Sequence, residues 1–156
     1  MELKAYFNPL DSEKYSDDNR WETTQIGRLI QKYTADSFPD LKFAELAIFN
    51  IPEYEGSSNN SSFDDCSVRD RFYNLHKNQF PRVVDLGVLQ MMSTRKDTFS
   101  CLQIICEFLI NNGVIPIVIG GGHDVSYAIY KAYASLGKFI TLTVVDKSFD
   151  IGLEED

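Results

Sequence analysis

The stretch Val114-Ile-Pro-Ile-Val-Ile-Gly-Gly-Gly-His-Asp124 decides how the chain folds. An apolar, mostly β-branched run lies between the turn signal Asn112-Gly113 and three glycines. A run of this length between turn signals predicts a strand buried on both faces of a parallel sheet. Gly120, Gly121 and Gly122 allow a sharp turn, and without Cβ atoms their backbone can be approached closely. His123 is then presented at the carboxyl end of a strand, where open α/β sheets place their ligands.

Downstream, Val125, Ala128, Ile129, Ala132, Tyr133 and Leu136 recur at helical spacing, and Gly137 stops that helix. Phe139–Val145 then reads as a strand that delivers Asp146 to the same sheet edge. Upstream, Thr94 or Asp97 caps a helix through Asn111, with Phe99, Leu102, Ile105, Cys106 and Leu109 on its apolar face. Phe43–Ile51 and Pro81–Val88 read as two further strands. Asp85 lies inside or at the end of the second, bonded to a neighbouring loop. Between these strands, Asp64 or Asp65 caps a helix to about Lys77, with Val68, Phe72 and Leu75 on one face. The polar residues 53–62 form either a surface loop or a lid. A short strand at Leu3–Phe7 and a helix from Arg20 to Tyr33 complete the pattern, and Trp21 is expected to pack against the sheet. His76, near a helix end, suits an interaction with the helix dipole. Strands alternating with helices define an α/β protein, three-layer α/β/α with a mainly parallel sheet.

At 156 residues the chain is expected to be one domain, with 1–42 as an amino-terminal extension and 43–156 as βα units. Hydrophobic content of 44% and aromatic content of 13% fit a globular core rather than disorder. A net charge of −8 argues against nucleic acid or an anionic membrane as partner, since either needs a basic face. The first residues lack a basic segment followed by an apolar one, and no apolar run reaches the ~18 residues of a membrane span. Cys66, Cys101 and Cys106 have no metal-binding spacing, and the last two fall on a predicted apolar helix. A reduced, cytoplasmic setting is the simplest expectation.

If the chain stays extended beyond Val145, Asp146, Ser148 and Asp150 share one side. With His123 from the neighbouring turn they suit a hard cation, Mn²⁺ being favoured by mixed imidazole and carboxylate donors. A metal held there lowers the pKa of bound water, which suits hydrolysis. The plainer alternative is that His123 caps or packs, while the two carboxylates cap turns or pair with Lys147 and arginines. A nucleotide-binding turn is a weaker third reading, because Gly120–Gly122 lacks the GxGxxG spacing.

Val118-Ile-Gly-Gly-Gly-His-Asp124, followed one helix and strand later by Val145-Asp-Lys-Ser-Phe-Asp150, resembles the ureohydrolases: arginase, agmatinase and formimidoylglutamase. The Gly-Gly-Gly-His-acid form looks most like formimidoylglutamase. Asn50-Ile-Pro52, Glu55-Gly56, Val68–Leu75 and Asp85-Leu-Gly87 agree, so that the likeness covers roughly residues 43–152. The resemblance implies a binuclear manganese centre that hydrolyses a guanidino or formimino C–N bond. His123, Asp146 and Asp150 would be metal ligands and a small amidine or guanidino compound the substrate; no catalytic residue is assigned. Two departures follow from the same resemblance. Ser148 stands where the family has a ligating histidine, and the family's Ser-x-Asp-x-Asp ligand segment has no counterpart here. The chain is therefore expected to be the amino-terminal part of such a protein, inactive alone, or else a degenerate, non-catalytic module for binding or assembly. The resemblance also separates the strands before His123 and Asp146 by strands of a carboxyl-terminal half. The chain is then expected to close that gap, to leave an edge unpaired, or to pair with the missing half or a second copy, because open edges invite association.

Overall fold

The computed structural model describes residues 1–53, 65–77 and 81–145. Its strands are β1 (Phe7–Asn8), β2 (Gln31–Lys32), β3 (Leu46–Asn50), β4 (Val83–Leu89) and β5 (Ile115–Ile119). Its helices are α1 (Ser12–Tyr15), α2 (Ile26–Leu29), α3 (Asp65–Tyr73), α4 (Arg95–Asn111) and α5 (Val125–Ser135). β3 lies between β4 and β5 and is parallel to both. The other edge of β4 is shared by β2, parallel, and β1, antiparallel. This is the expected α/β architecture with a mainly parallel sheet.

Side-chain alternation along β3 and β4 produces the three layers. Ala47, Phe49, Val84 and Leu86 face a core built with Leu102, Ile105, Cys106 and Leu109 of α4 and Val125, Ala128 and Ala132 of α5. Ile48 points the other way, into a second core with Leu10, Tyr15, Trp21, Ile26, Ile30 and Tyr73. The amphipathic periods of α4 and α5 therefore bury the faces the sequence predicts. Thr94 caps α4 by accepting from the Asp97 amide at 3.1 Å.

Several expectations are corrected. The predicted helix 20–33 is broken into α2 and β2. Its backbone is drawn into pairing with the segment after α3: Ile26 N–H donates to Leu75 C=O at 2.9 Å, and Lys77 N–H to Thr24 C=O at 2.7 Å. Such tertiary bonds outweigh a weak helical propensity. Trp21 packs edge-on against Tyr73, with centroids 5.4 Å apart, in the core that also holds Ile48 of β3. His76 lies beyond α3, its Nδ1 2.8 Å from Thr24 Oγ1, rather than in the last helical turn. Second, Leu3–Tyr6 is a 3-10 turn, and only Phe7–Asn8 pairs as strand.

Third, β5 is not buried on both faces. Its partner among the described residues is β3 alone, and Ile115 and Ile117 are 55% and 39% exposed. Only the face carrying Pro116 and Val118, in register with Ala47 and Phe49, lies over the α4/α5 core. Fourth, Phe139–Val145 forms no strand. It is irregular and exposed, Phe139 and Val145 almost fully so. No strand among the described residues pairs with it.

Burial pushes the Cys106 thiol up from its ordinary 9.0 to about 12, with Glu107 adding to the effect. Tyr73 is raised as well, by burial first and then by the neighbouring Asp85 carboxylate. Both groups stay protonated in the folded chain at a pH where the unfolded chain has released those protons. The Cys106 contribution is thus complete below pH 9.0 and is lost as pH rises from there through about 12, while that of Tyr73 is complete below its ordinary 10.0 and is lost above it. Denaturant midpoints at ~pH 8 and ~pH 10.5 should show the chain clearly weaker at the higher pH. Replacing Cys106 by Ala should flatten part of that slope.

Candidate functional site at the carboxyl edge of the sheet

β3, β4 and β5 run parallel, so their carboxyl ends share one edge, and the glycine turn after β5 lies there. Gly120 and Gly121 have φ of +83° and +84°, a region disfavoured for residues with a Cβ. A Cβ on Gly121 would lie 2.6 Å from Val125 Cγ2 and 3.1 Å from Ile51 Cγ2. The turn is therefore pressed against both the end of β3 and the first residue of α5. It leaves His123 on the exposed surface of this edge, one residue before the α5 cap position, Asp124.

Asp124 does not cap α5 with its side chain. Its Oδ2 accepts from Arg95 Nη2, at the first residue of α4. Arg95 Nε lies 3.4 Å from Glu53 Oε1, on the segment leaving β3, and the Glu53 side chain is only 3% exposed. A guanidinium thus bridges carboxylates from two separate segments beside His123.

Beneath the edge lies a buried network. Asp85, on the face of β4 towards α3, accepts from Arg69 Nε at 2.7 Å, from Tyr73 Oη at 2.8 Å and from the Gly87 amide at 2.8 Å. Arg69 Nη2 also donates to Asn50 Oδ1 and to the Gly87 carbonyl, each at 3.3 Å. Burial opposes the Arg69 charge, but the field and hydrogen bonds of Asp85 outweigh it and hold the guanidinium above its ordinary pKa. The partner of Asp85 is therefore helix α3 rather than a loop. The inward face of α3 is Arg69 and Tyr73, while Leu75 of the expected apolar face is 51% exposed. An arginine reads as surface in a pattern search, and only its pairing with an aspartate sixteen residues on makes burial affordable.

Of the expected metal ligands, His123 is at the sheet edge; Asp146 and Asp150, with Ser148, lie outside the described residues. Among the described residues no group of three His, Cys, Asp or Glu side chains could hold a metal ion. The nearest carboxylate in sequence, Asp124, already has a cation partner in Arg95. The described donors therefore do not by themselves fit manganese. Cys101 and Cys106 are buried free thiols on α4, the role expected of them. No helix among the described residues is long and apolar enough to cross a membrane.

A model of the Arginase family matches residues 58–155, more than half of the chain. The chain belongs to the arginase family. No curated protein matches it. Among solved structures it is similar to Trypanosoma cruzi formiminoglutamase with Mn²⁺, at 21% identity and a TM-score of 0.57, covering 71% of this chain and 40% of that one. A putative agmatinase from Clostridium difficile gives 20% identity and 0.53, over 63% of this chain and 40% of the other. The agmatine ureohydrolase of Thermoplasma volcanium gives 21% and 0.52, over 78% and 41%. At these identities the likeness concerns the fold, and the chain spans about two fifths of the length of these relatives.

Proposed function

We propose that this chain is the amino-terminal part of a manganese-dependent hydrolase that cleaves the C–N bond of a linear amidine or guanidino compound. His123 is its contribution to one side of the metal centre, with Asp146 and Asp150 as the carboxylate ligands. The observation that carries this reading is the presentation of His123 by a glycine turn at the carboxyl end of a parallel strand, in a chain of the arginase family. The Gly-Gly-Gly-His-acid form and the likeness to a formiminoglutamase favour a formimino substrate. By itself the chain is expected to be inactive and to bind Mn²⁺ weakly or not at all, since Ser148 is a poor donor compared with imidazole. A second reading, a non-catalytic module of the same fold, is favoured by Ser148 and by the guanidinium beside Asp124.

Calorimetry with Mn²⁺ on this chain tests the second reading, and the activity of the longer protein separates the two. Tight binding by the purified chain that His123→Ala abolishes would rule out the non-catalytic reading. In the longer protein, hydrolysis of formiminoglutamate, agmatine or arginine that falls at least ~100-fold in His123→Ala is the expected result. Hydrolysis indifferent to that substitution would remove His123 from the centre.

A further inference from the structure

Arg95 occupies an unusual position for a cation. It is the first residue of the seventeen-residue helix α4, where the helix dipole favours negative charge. Two carboxylates from different segments hold it there: Glu53, buried after β3, and Asp124, at the start of α5. Its guanidinium also lies over the Phe99 ring, 5.2 Å from the centroid, which fixes the direction of the side chain. Of the two carboxylates only Glu53 is buried, and burying an acid without a counter-charge is costly; Asp124 and Arg95 are each over a third exposed, so solvent weakens that arm of the bridge.

We infer that Arg95 is the resident cation of this edge. It joins Glu53 to Asp124 and so positions the glycine turn and His123 without a divalent ion. A divalent cation competes with Arg95 for these carboxylates rather than completing them. Arg95 Nε and Asp124 Oδ1 are buried and have no hydrogen-bond partner among the described residues. The pair thus holds one of the two bonds that a side-on arginine–carboxylate fork allows. The second Asp124 oxygen is the acceptor a metal would use once the guanidinium is gone. This goes beyond the hydrolase reading and stands whether or not that reading holds.

The test uses thermal melts of the whole chain in EDTA and in Ca²⁺, a cation that takes oxygen ligands and does not need His123. The wild-type melting temperature should be the same in both. Arg95→Met should melt roughly 3–6 °C lower in EDTA and recover part of that loss in Ca²⁺. Adding Asp124→Asn should remove the recovery, and Arg95→Lys should keep part of the original stability. Arg95→Met melting with the wild type in EDTA, or showing no gain in Ca²⁺, would overturn the assignment. If Arg95→Met does not fold, Asp124→Asn alone serves. Faster amide exchange over residues 121–127 supports the role, and unchanged exchange there refutes it.

Discussion

Arg69→Met should be among the most damaging single changes in this chain, lowering stability by about 3–5 kcal/mol. The side chains of Arg69 and Asp85 are 3% and 0% exposed, and their 2.7 Å contact is reinforced by Tyr73 and the Gly87 amide. Removing the guanidinium leaves an aspartate buried in the sheet with two neutral donors and no counter-charge. For a chain of this size the melting temperature should fall by roughly 10 °C, and urea midpoints should agree. The double change Arg69→Met with Asp85→Leu should recover most of the loss, because apolar replacements of a buried ion pair are often neutral or stabilising. Arg69→Met melting with the wild type, or a double variant as weak as the single, would show that the pair does not hold β4 to α3.

This network does not show in the sequence period, because it depends on a partner distant in the chain. Where an element buries a continuous apolar stripe, as α4 does with Leu102, Ile105, Cys106 and Leu109, period alone locates it. The same holds for α5 and for the core strand β3. Where burial depends on a partner distant in the chain, period misleads. The apolar residues Val68, Phe72 and Leu75 point to one face of α3, whereas the sheet receives Arg69 and Tyr73, because Asp85 supplies their acceptor. Likewise, Trp21, Ile26 and Ile30 suggest a helix, yet residues Thr24–Ile26 pair instead with the segment after α3. Gly27 fits beneath the indole of Trp21, where an added Cβ would lie 2.6 Å from the ring. An apolar strand also does not reveal whether both its edges have partners. That is why β5 and Phe139–Val145 read as interior strands but lie exposed. Of the site, the position of His123 was legible; Arg95 was not, because nothing in its own neighbourhood signals Glu53 or Asp124.

Gly121→Ala should damage the glycine turn severely, and comparison with Gly113→Ala isolates the reason. Both glycines have positive φ, +84° at Gly121 and +76° at Gly113, so each substitution carries the left-handed penalty of about 1–2 kcal/mol. At Gly113 nothing lies within 4 Å of the added Cβ, and the penalty ends there. At Gly121 the methyl would meet Val125 Cγ2 at 2.6 Å and Ile51 Cγ2 at 3.1 Å, both on buried residues that cannot swing into solvent. Overpacking of this kind adds about 1–3 kcal/mol, bringing the expected total to roughly 2–5 kcal/mol. Relief can come only by moving the start of α5 away from the end of β3, which displaces His123 with it. Chemical denaturation should therefore rank Gly121→Ala well below Gly113→Ala, and amide exchange should quicken at Val125 and its neighbours in the first variant only. Trimming Val125 to Ala in the Gly121→Ala background removes the closest contact and should restore part of the stability. Equal losses at the two glycines would mean that the turn is not wedged between β3 and α5, and that the position of His123 is set by something else.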